Sequence, residues 1–440
     1  MKKQLLAFGL MLLTFAQCTG PKEPYSHFSR DFQDELQAIT EILVHDIFSP
    51  PVAARVYVYT SSAAYEVVAQ SNDDYRSLVG QFHEFPEVAP APLSDPNYVP
   101  EIAALHAAGI VGKALIFSEE RMQAHMDELF EKLGEHFSED QLAASKAYGS
   151  LIATSILEWA KGDNYNQTRT FTKYQINDDP MRWKPTPPDY MDGIEPHWRN
   201  IRTLVMDSSS MFKPVPPPTP SLDTASQFYK DLMLVYNTRL NLTEEQIDIA
   251  QFWDCNPYVS VHRGHVMLAT KKITPGGHWI GITGIAARKA GLDFNRTVDA
   301  YLRGSTGLFD GFISCWDEKY RSELVRPETV INEHFDENWT PLLQTPPFPE
   351  YTSGHSVISG AAGVMLSGVF GQTFEFQDST ERVFGLPDRF FKSFTEASDE
   401  AAISRLYGGI HYMPAIELGV KQGRSLGAYI DSKLVTYEKN

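Results

Sequence analysis

Residues 346–370 read PPFPEYTSGHSVISGAAGVMLSGVF, a proline-rich turn region that gives way to an apolar run from Ser356 to Phe370. The run has helical length, contains no proline, and carries Gly360, Ala361, Gly363, Ser367 and Gly368, small residues that let another helix approach closely. At its start, Ser353-Gly354-His355 sets a hydroxyl, free backbone N–H groups and an imidazole side by side. Helix N-termini bind anions through those unpaired N–H groups and the helix dipole. Alone, the segment reads more readily as a plain N-cap, with Thr352 or Ser353 capping and His355 exposed.

Two flanking clusters change that balance. Upstream, Trp316-Asp317-Glu318-Lys319 precedes Arg326-Pro327 by six residues. Seven positions are nearly two helical turns, so a continuous helix would project Lys319 and Arg326 from one face, with Trp316 one turn before Lys319. Pro327 would end that helix at Arg326. Two cations on one face repel unless an anion lies between them; on an ordinary surface they are a solvated basic face beside Glu318 and Glu323. Downstream, Ser404-Arg405-Leu406-Tyr407-Gly408-Gly409-Ile410-His411-Tyr412-Met413-Pro414 places Arg405 near a helix end broken by the two glycines. It places His411 on a turn ahead of a last helix over about 415–437. The pair His262 and His265 has no such company and is left as a non-site.

The rest of the chain is helical by pattern. Apolar residues recur at three- and four-residue intervals over 32–48, and similar runs cover about 51–70, 100–118, 119–134, 139–162, 222–238, 244–253, 258–271, 278–291 and 295–326. Ser138-x-x-Gln141 and Thr243-x-x-Gln246 are capping boxes. No period-two alternation or hairpin pair stands out, so an all-α fold is expected. A proline and aromatic segment, 163–200, interrupts the helices, and the stiff run KPVPPPTP at 213–220 is the natural crossover between two helical halves, 24–212 and 221–440.

Composition bounds the chemistry. The 440 residues carry 38 Lys+Arg against 56 Asp+Glu, a formal net charge of −18, which leaves no basic stripe for nucleic acid. Hydrophobic residues make up 42% and charged residues 21%, enough apolar material for a large core. Three cysteines, Cys18, Cys255 and Cys315, exclude a disulfide scaffold and every multi-cysteine zinc pattern. Cys255 and Cys315 could pair after export, but two lone cysteines are more commonly buried and inert. Lys2 and Lys3 precede an apolar stretch from Leu5 to Phe15 that ends at Ala16-Gln17-Cys18. This resembles a bacterial lipoprotein signal (residues 1–18), although Gln17 replaces the usual small residue. It implies export and tethering to the bacterial envelope, periplasmic or outer, by lipid on Cys18, with no other contact with the membrane.

Taken together, Lys319-x6-Arg326-Pro327, Thr352-Ser353-Gly354-His355 and Ser404-Arg405-x5-His411 resemble the signature of the vanadium-dependent haloperoxidase and type-2 phosphatidic acid phosphatase superfamily. The resemblance covers about the last 125 residues strictly; Ser49-Pro50-Pro51 with Arg55, and Phe252-Trp253-Asp254, resemble its bacterial haloperoxidase branch more loosely. It implies two helical bundles of the vanadium haloperoxidase and acid phosphatase type, the second being catalytic. Lys319, Arg326, Ser353, Gly354 and Arg405 would hold an oxyanion, His411 would be the vanadium ligand or phosphate nucleophile, and His355 would be an acid/base. Trp316 and Phe348 match aromatic positions that line the haloperoxidase pocket, Phe348 in the manner of the chloroperoxidases. The implied activity is oxidation of halide by hydrogen peroxide at a histidine-bound vanadate. The alternative is hydrolysis of a phosphomonoester or lipid phosphate in the same cage, with phosphate in place of vanadate. Ala415 stands where the superfamily has an Asp that orients the histidine, a change that points toward a catalytically impaired relative.

Overall fold

The computed structural model describes residues 25–263, 266–269 and 271–438, so the leader and Cys18 lie outside the described residues. Five helices build the first part: α1 (Phe28–His45), α2 (Pro50–Ser71), α3 (Pro100–Ala114), α4 (Glu119–Gly134) and α5 (Glu139–Lys161). After the short α6 (Tyr165–Thr168) and the irregular segment come α7 (Gln227–Leu240), α8 (Glu244–Phe252), α9 (Pro275–Ala290), α10 (Phe294–Ser322), α11 (Pro327–His334), α12 (Gly354–Phe370), α13 (Phe394–Tyr407) and α14 (Met413–Lys433). Both capping boxes form, with Ser138 and Thr243 each accepting from the backbone N–H three residues on. Among the described residues no helix is long and apolar enough to cross a membrane.

One long helix organises the interior. α10 starts where the Asp293 side chain accepts from the Arg296 N–H at 2.8 Å, and it is buried along most of its length. It packs on α2 from the first part and on α9, α12 and α14 from the second. The largest hydrophobic cluster therefore runs without a break from Phe32 in α1 to Leu434 beyond α14. The proline and aromatic segment is anchored over this core by Trp183 and Trp198, both fully buried.

α12 and α14 pack extensively against each other, and the seam between them aligns the two histidine-bearing segments. A Cβ built on Gly423 would fall 2.0 Å from the Val357 carbonyl oxygen, so only glycine permits this approach. Gly423→Ala must separate two backbones that cannot compress. It should cost about 1–3 kcal/mol, read as a lower midpoint in thermal unfolding, with weaker oxyanion binding because α12 and α14 move apart.

Two expectations from the sequence are corrected. The helix expected over 258–271 is an antiparallel pair of strands, β1 (Ser260–Arg263) and β2 (Val266–Ala269), in register Ser260 to Ala269. Pro257 starts a turn, and the β-branched Val259, Val261 and Val266 favour extended backbone. A second small hairpin joins β3 (Phe376–Asp378) and β4 (Arg389–Phe391) through buried Phe376 and Phe391. The helix expected over 295–326 ends at Ser322, because Glu323 turns left-handed at φ 48°. The chain then runs alongside the irregular segment, with Trp183 N–H donating to the Glu323 carbonyl at 2.7 Å and Val325 N–H to Met181 at 3.2 Å. Arg326 is thus extended (φ −76°, ψ 149°) and sits immediately before α11. It does not share a helix face with Lys319, and the two cations reach the same place from different backbone geometries.

Candidate active site

Four chain segments converge. Lys319 lies in the last turn of α10, Arg326 just before α11, Ser353 to His355 at the start of α12, and Arg405 in the last turn of α13 ahead of the turn that bears His411. Gly409, at φ 76°, makes that turn and packs against Pro341, where a side chain would be crowded as well as strained.

Lys319, Arg326 and Arg405 are buried, and among the described residues none forms an ion pair with a carboxylate. Instead they are aimed by neutral groups. Lys319 Nζ donates to the carbonyls of Pro349 at 2.9 Å and Glu350 at 3.1 Å. Arg326 donates to the carbonyls of Phe348 at 3.0 Å and Ile410 at 2.8 Å. Arg405 donates to Ser404 Oγ at 2.9 Å and to the Trp253 carbonyl at 2.7 Å. Burial lowers the Lys319 ammonium to about 7 and the Arg326 guanidinium to about 10, and pulls Arg405 down as well. Three cations desolvated together are costly unless an anion compensates them, and a small oxyanion with several charges does so.

The two histidines are neutral and differently wired. Burial first, then Arg326, Lys319 and Arg405, hold His411 well below the ordinary imidazole value. Its Nδ1 lies 2.7 Å from Glu350 Oε1, and its Nε2 lies 3.2 Å from Arg326 Nη1. Arginine can only donate, so Nε2 presents its lone pair and Nδ1–H donates to the carboxylate. That is the tautomer a histidine needs to bond an electrophilic metal or phosphorus through Nε2. His355 is half-buried, its Nε2 has no hydrogen-bond partner, and burial together with Arg405 and His278 keeps it neutral.

A narrow cleft with a cavity volume of about 30 Å³ opens here, lined by Trp316, Phe348, Gly354, His355, Arg405 and His411 among others. The Trp316 and Phe348 rings meet at 5.0 Å between centroids, and Trp316 Nε1–H donates to the Ile194 carbonyl at 3.1 Å. Lys319, Arg326 and Ser353 are fully buried behind this wall. Ser353 caps α12 by accepting from Ser356 N–H at 3.4 Å, and its own N–H donates to the Ala415 carbonyl at 3.0 Å. Of the site residues chosen from the sequence, six line the cleft itself, while Lys319 and Arg326 lie against Phe348, 5.0 and 5.2 Å from its ring centre, and Ser353 precedes Gly354. Of the looser stretches, Pro50 and Asp254 line the cleft, whereas Arg55 is spent on an ion pair with Asp163 at 2.6 Å. Cys255 and Cys315 are free and buried.

Glu350 is the residue that sequence reasoning missed. It is fully buried, accepts from His411 Nδ1 and from the Tyr412 N–H at 2.9 Å, and its Oε2 has no partner. Burial raises its carboxyl to about 7 against the opposing pull of Arg326 and Lys319. The available signal was a lone acid in the apolar run Pro346 to Tyr351. Its position answers the doubt raised by Ala415, since the carboxylate on His411 comes from the loop before α12 instead of from α14. Ala415 is buried in an apolar cluster with Tyr412 and Ile416, and Glu417 is exposed. Ala415→Asp should consequently lower thermal stability by about 1–3 kcal/mol, the scale for an unsatisfied buried polar group, and should not raise activity.

The pattern of the VCPO second helical-bundle domain matches residues 300–439. A solved structure of a bacterial vanadium-dependent iodoperoxidase is 52% identical, with a TM-score of 0.90 over 95% of this chain and 100% of that one. A bacterial vanadium-dependent chloroperoxidase in its holo form is 18% identical, with a TM-score of 0.69 over 88% of this chain and 93% of that one. Its apo form gives 17%, 0.67, 88% and 94%; both share the fold. No curated protein matches. With half its residues identical along nearly its whole length to one such enzyme, and with three buried cations and a metal-ready histidine around one cleft, the chain belongs to the vanadium-dependent haloperoxidase family.

Proposed function

We propose that this enzyme oxidises iodide with hydrogen peroxide, using vanadate held by His411. The observation that carries the reading is the 52% identity to an iodoperoxidase across 95% of the chain. Phe348 by itself resembles the chloroperoxidase pattern, but the whole-chain likeness outweighs one position. The apolar walls contributed by Phe312, Trp316, Phe348 and Ile410 also suit a large, weakly hydrated halide.

In this reading Lys319, Arg326, Arg405 and the Gly354 N–H would hold the oxyanion, Ser353 fixes the start of α12, and the His411 Nε2 lone pair would be the ligand to vanadium. Vanadate, when bound, supplies a Lewis acid that activates peroxide without changing oxidation state. His355, held neutral, lining the cleft and with no hydrogen-bond partner at Nε2, would be the group that accepts and returns a peroxide proton. Glu350 positions His411 and keeps Nε2 unprotonated. Titrating the purified protein with orthovanadate and measuring peroxide-dependent oxidation of iodide, bromide and chloride tests the proposal, with iodide expected to be oxidised fastest. Hydrolysis of p-nitrophenyl phosphate without halide oxidation would favour the phosphatase reading and sink this one.

Lys319 gives the oxyanion affinity a pH dependence. Its folded value of about 7 lies below the ordinary lysine value, so the anion-free protein holds it partly neutral, and binding must recharge it. Wild-type affinity should fall as pH rises above 7, and Lys319→Gln should be weaker but flatter. The difference in slope between the two proteins removes the ligand's own ionisation; parallel slopes would show that Lys319 does not bind.

We also infer that the mature protein is tethered to the envelope through lipid on Cys18. The feature supporting this is the Lys2-Lys3, apolar, Cys18 leader. Intact mass of membrane-extracted protein should show a diacylated N-terminal cysteine, and a Cys18→Ala chain should be recovered without lipid.

A further inference from the structure

Behind the oxyanion cleft lies a second cluster of ligating side chains that the halide chemistry does not use. Cys255 follows α8, His278 sits in the first turn of α9, and Glu381 lies on the short 3-10 turn between β3 and β4. All three are buried. Cys255 Sγ is 3.4 Å from His278 Nδ1, His278 Nδ1 is 3.0 Å from Glu381 Oε1, and Cys255 Sγ is 3.9 Å from Glu381 Oε1. A tetrahedral zinc with bonds of about 2.0–2.3 Å separates its ligand atoms by about 3.3–3.6 Å, so the observed triangle brackets that spacing. We propose that Cys255, His278 and Glu381 form a site for a divalent cation of the zinc type, distinct from the vanadate position.

Three features beyond the triangle support the assignment. First, His278 Nε2 lies 2.7 Å from Asp378 Oδ2, the carboxylate–histidine arrangement that orients an imidazole for a metal on its other nitrogen. Second, the Trp253 ring stacks on His278 at 4.5 Å and 19°, which fixes the ring plane. Third, Nδ1 carries at most one hydrogen, yet both a thiol and a carboxylate lie within its reach; a metal uses all three lone pairs at once. The mixed sulfur, nitrogen and oxygen donors favour zinc over magnesium or calcium, which take oxygen alone. Cys255 also lines the oxyanion cleft beside His355 and Arg405, and that cleft gives a small ion an access route. The competing arrangement is metal-free, with His278 clamped as an ion pair between Asp378 and Glu381.

The test uses the full mature protein in vanadate-free buffer, so its result is independent of halide oxidation. Elemental analysis after dialysis should give one zinc per chain. Cobalt(II) added to zinc-stripped protein should give a thiolate-to-cobalt charge-transfer band with tetrahedral visible absorption. Cys255→Ser should abolish the charge-transfer band, and Asp378→Asn should keep it while weakening zinc binding about 10–100-fold. If Cys255→Ser does not fold, Glu381→Gln should still shift the visible cobalt spectrum. Absence of stoichiometric zinc together with no thiolate band in the wild type would overturn the proposal in favour of the ion-pair clamp. A band that survives in Cys255→Ser would also overturn it, because the cobalt would then sit on another cysteine.

Discussion

His411→Ala should abolish vanadate binding at micromolar ligand and with it all iodide oxidation. Among the described residues His411 is the one imidazole whose Nε2 lone pair faces the cations while its other nitrogen is tied to a carboxylate. Removing it would leave Arg326, Lys319 and Arg405 to hold an oxyanion by charge alone, without the bond from Nε2. Loss of a partner that merely orients a ligand histidine costs about 10–100-fold, so loss of the ligand itself should exceed about 100-fold. Calorimetric titration with orthovanadate, alongside peroxide-dependent iodide oxidation, measures both losses. The variant should stay folded, because the histidine fills the edge of a cleft instead of the middle of the core. A folded His411→Ala protein with full activity would remove every residue assignment made for the cleft.

Glu350→Gln should weaken vanadate binding about 10–100-fold while leaving the fold intact. The amide oxygen can still accept from His411 Nδ1–H and from Tyr412 N–H, so geometry survives and only the charge is lost. The pH dependence separates this from a structural effect. Glu350 is raised to about 7 in the folded, anion-free protein, above its ordinary value near 4.5, so folding favours its protonated form. Its favourable contribution to stability is present below about 4.5 and is lost as pH rises through 7. The neutral amide escapes that loss, so Glu350→Gln should unfold at a temperature equal to or above wild type at pH 8 even as its vanadate affinity drops. Wild-type affinity should also weaken as pH falls through 7 and the carboxylate takes up its proton, whereas the variant lacks that step. Affinity in Glu350→Gln equal to wild type at every pH from 6 to 8 would show that the carboxylate does not govern His411.

The elements legible in the sequence were those whose cause is local. The helix over 139–161 is fixed by its capping box and the helix over 119–134 by its apolar period, both within their own residues, and the Gly408-Gly409 break before His411 is likewise local. The strands at 260–269 were not legible, because a short apolar stretch fits a helix or a strand and the choice depends on what it packs against. The end of α10 escaped for the same reason. Its early stop at Ser322 reflects pairing of Glu323 and Val325 with Met181 and Trp183, residues about 140 positions away.

The sequence by itself determined the helical class, the order of the three clusters and the identity of the cations and histidines, because chemistry and helix period are carried by residue type and spacing. Only the tertiary structure decided who sits beside whom. It put Glu350 on His411 in place of the residue at position 415, brought Arg326 in from an extended segment, and drew Cys255, His278 and Glu381 together from three distant stretches. Contacts of that kind are set by how helices pack across a shared core, and no local pattern records them.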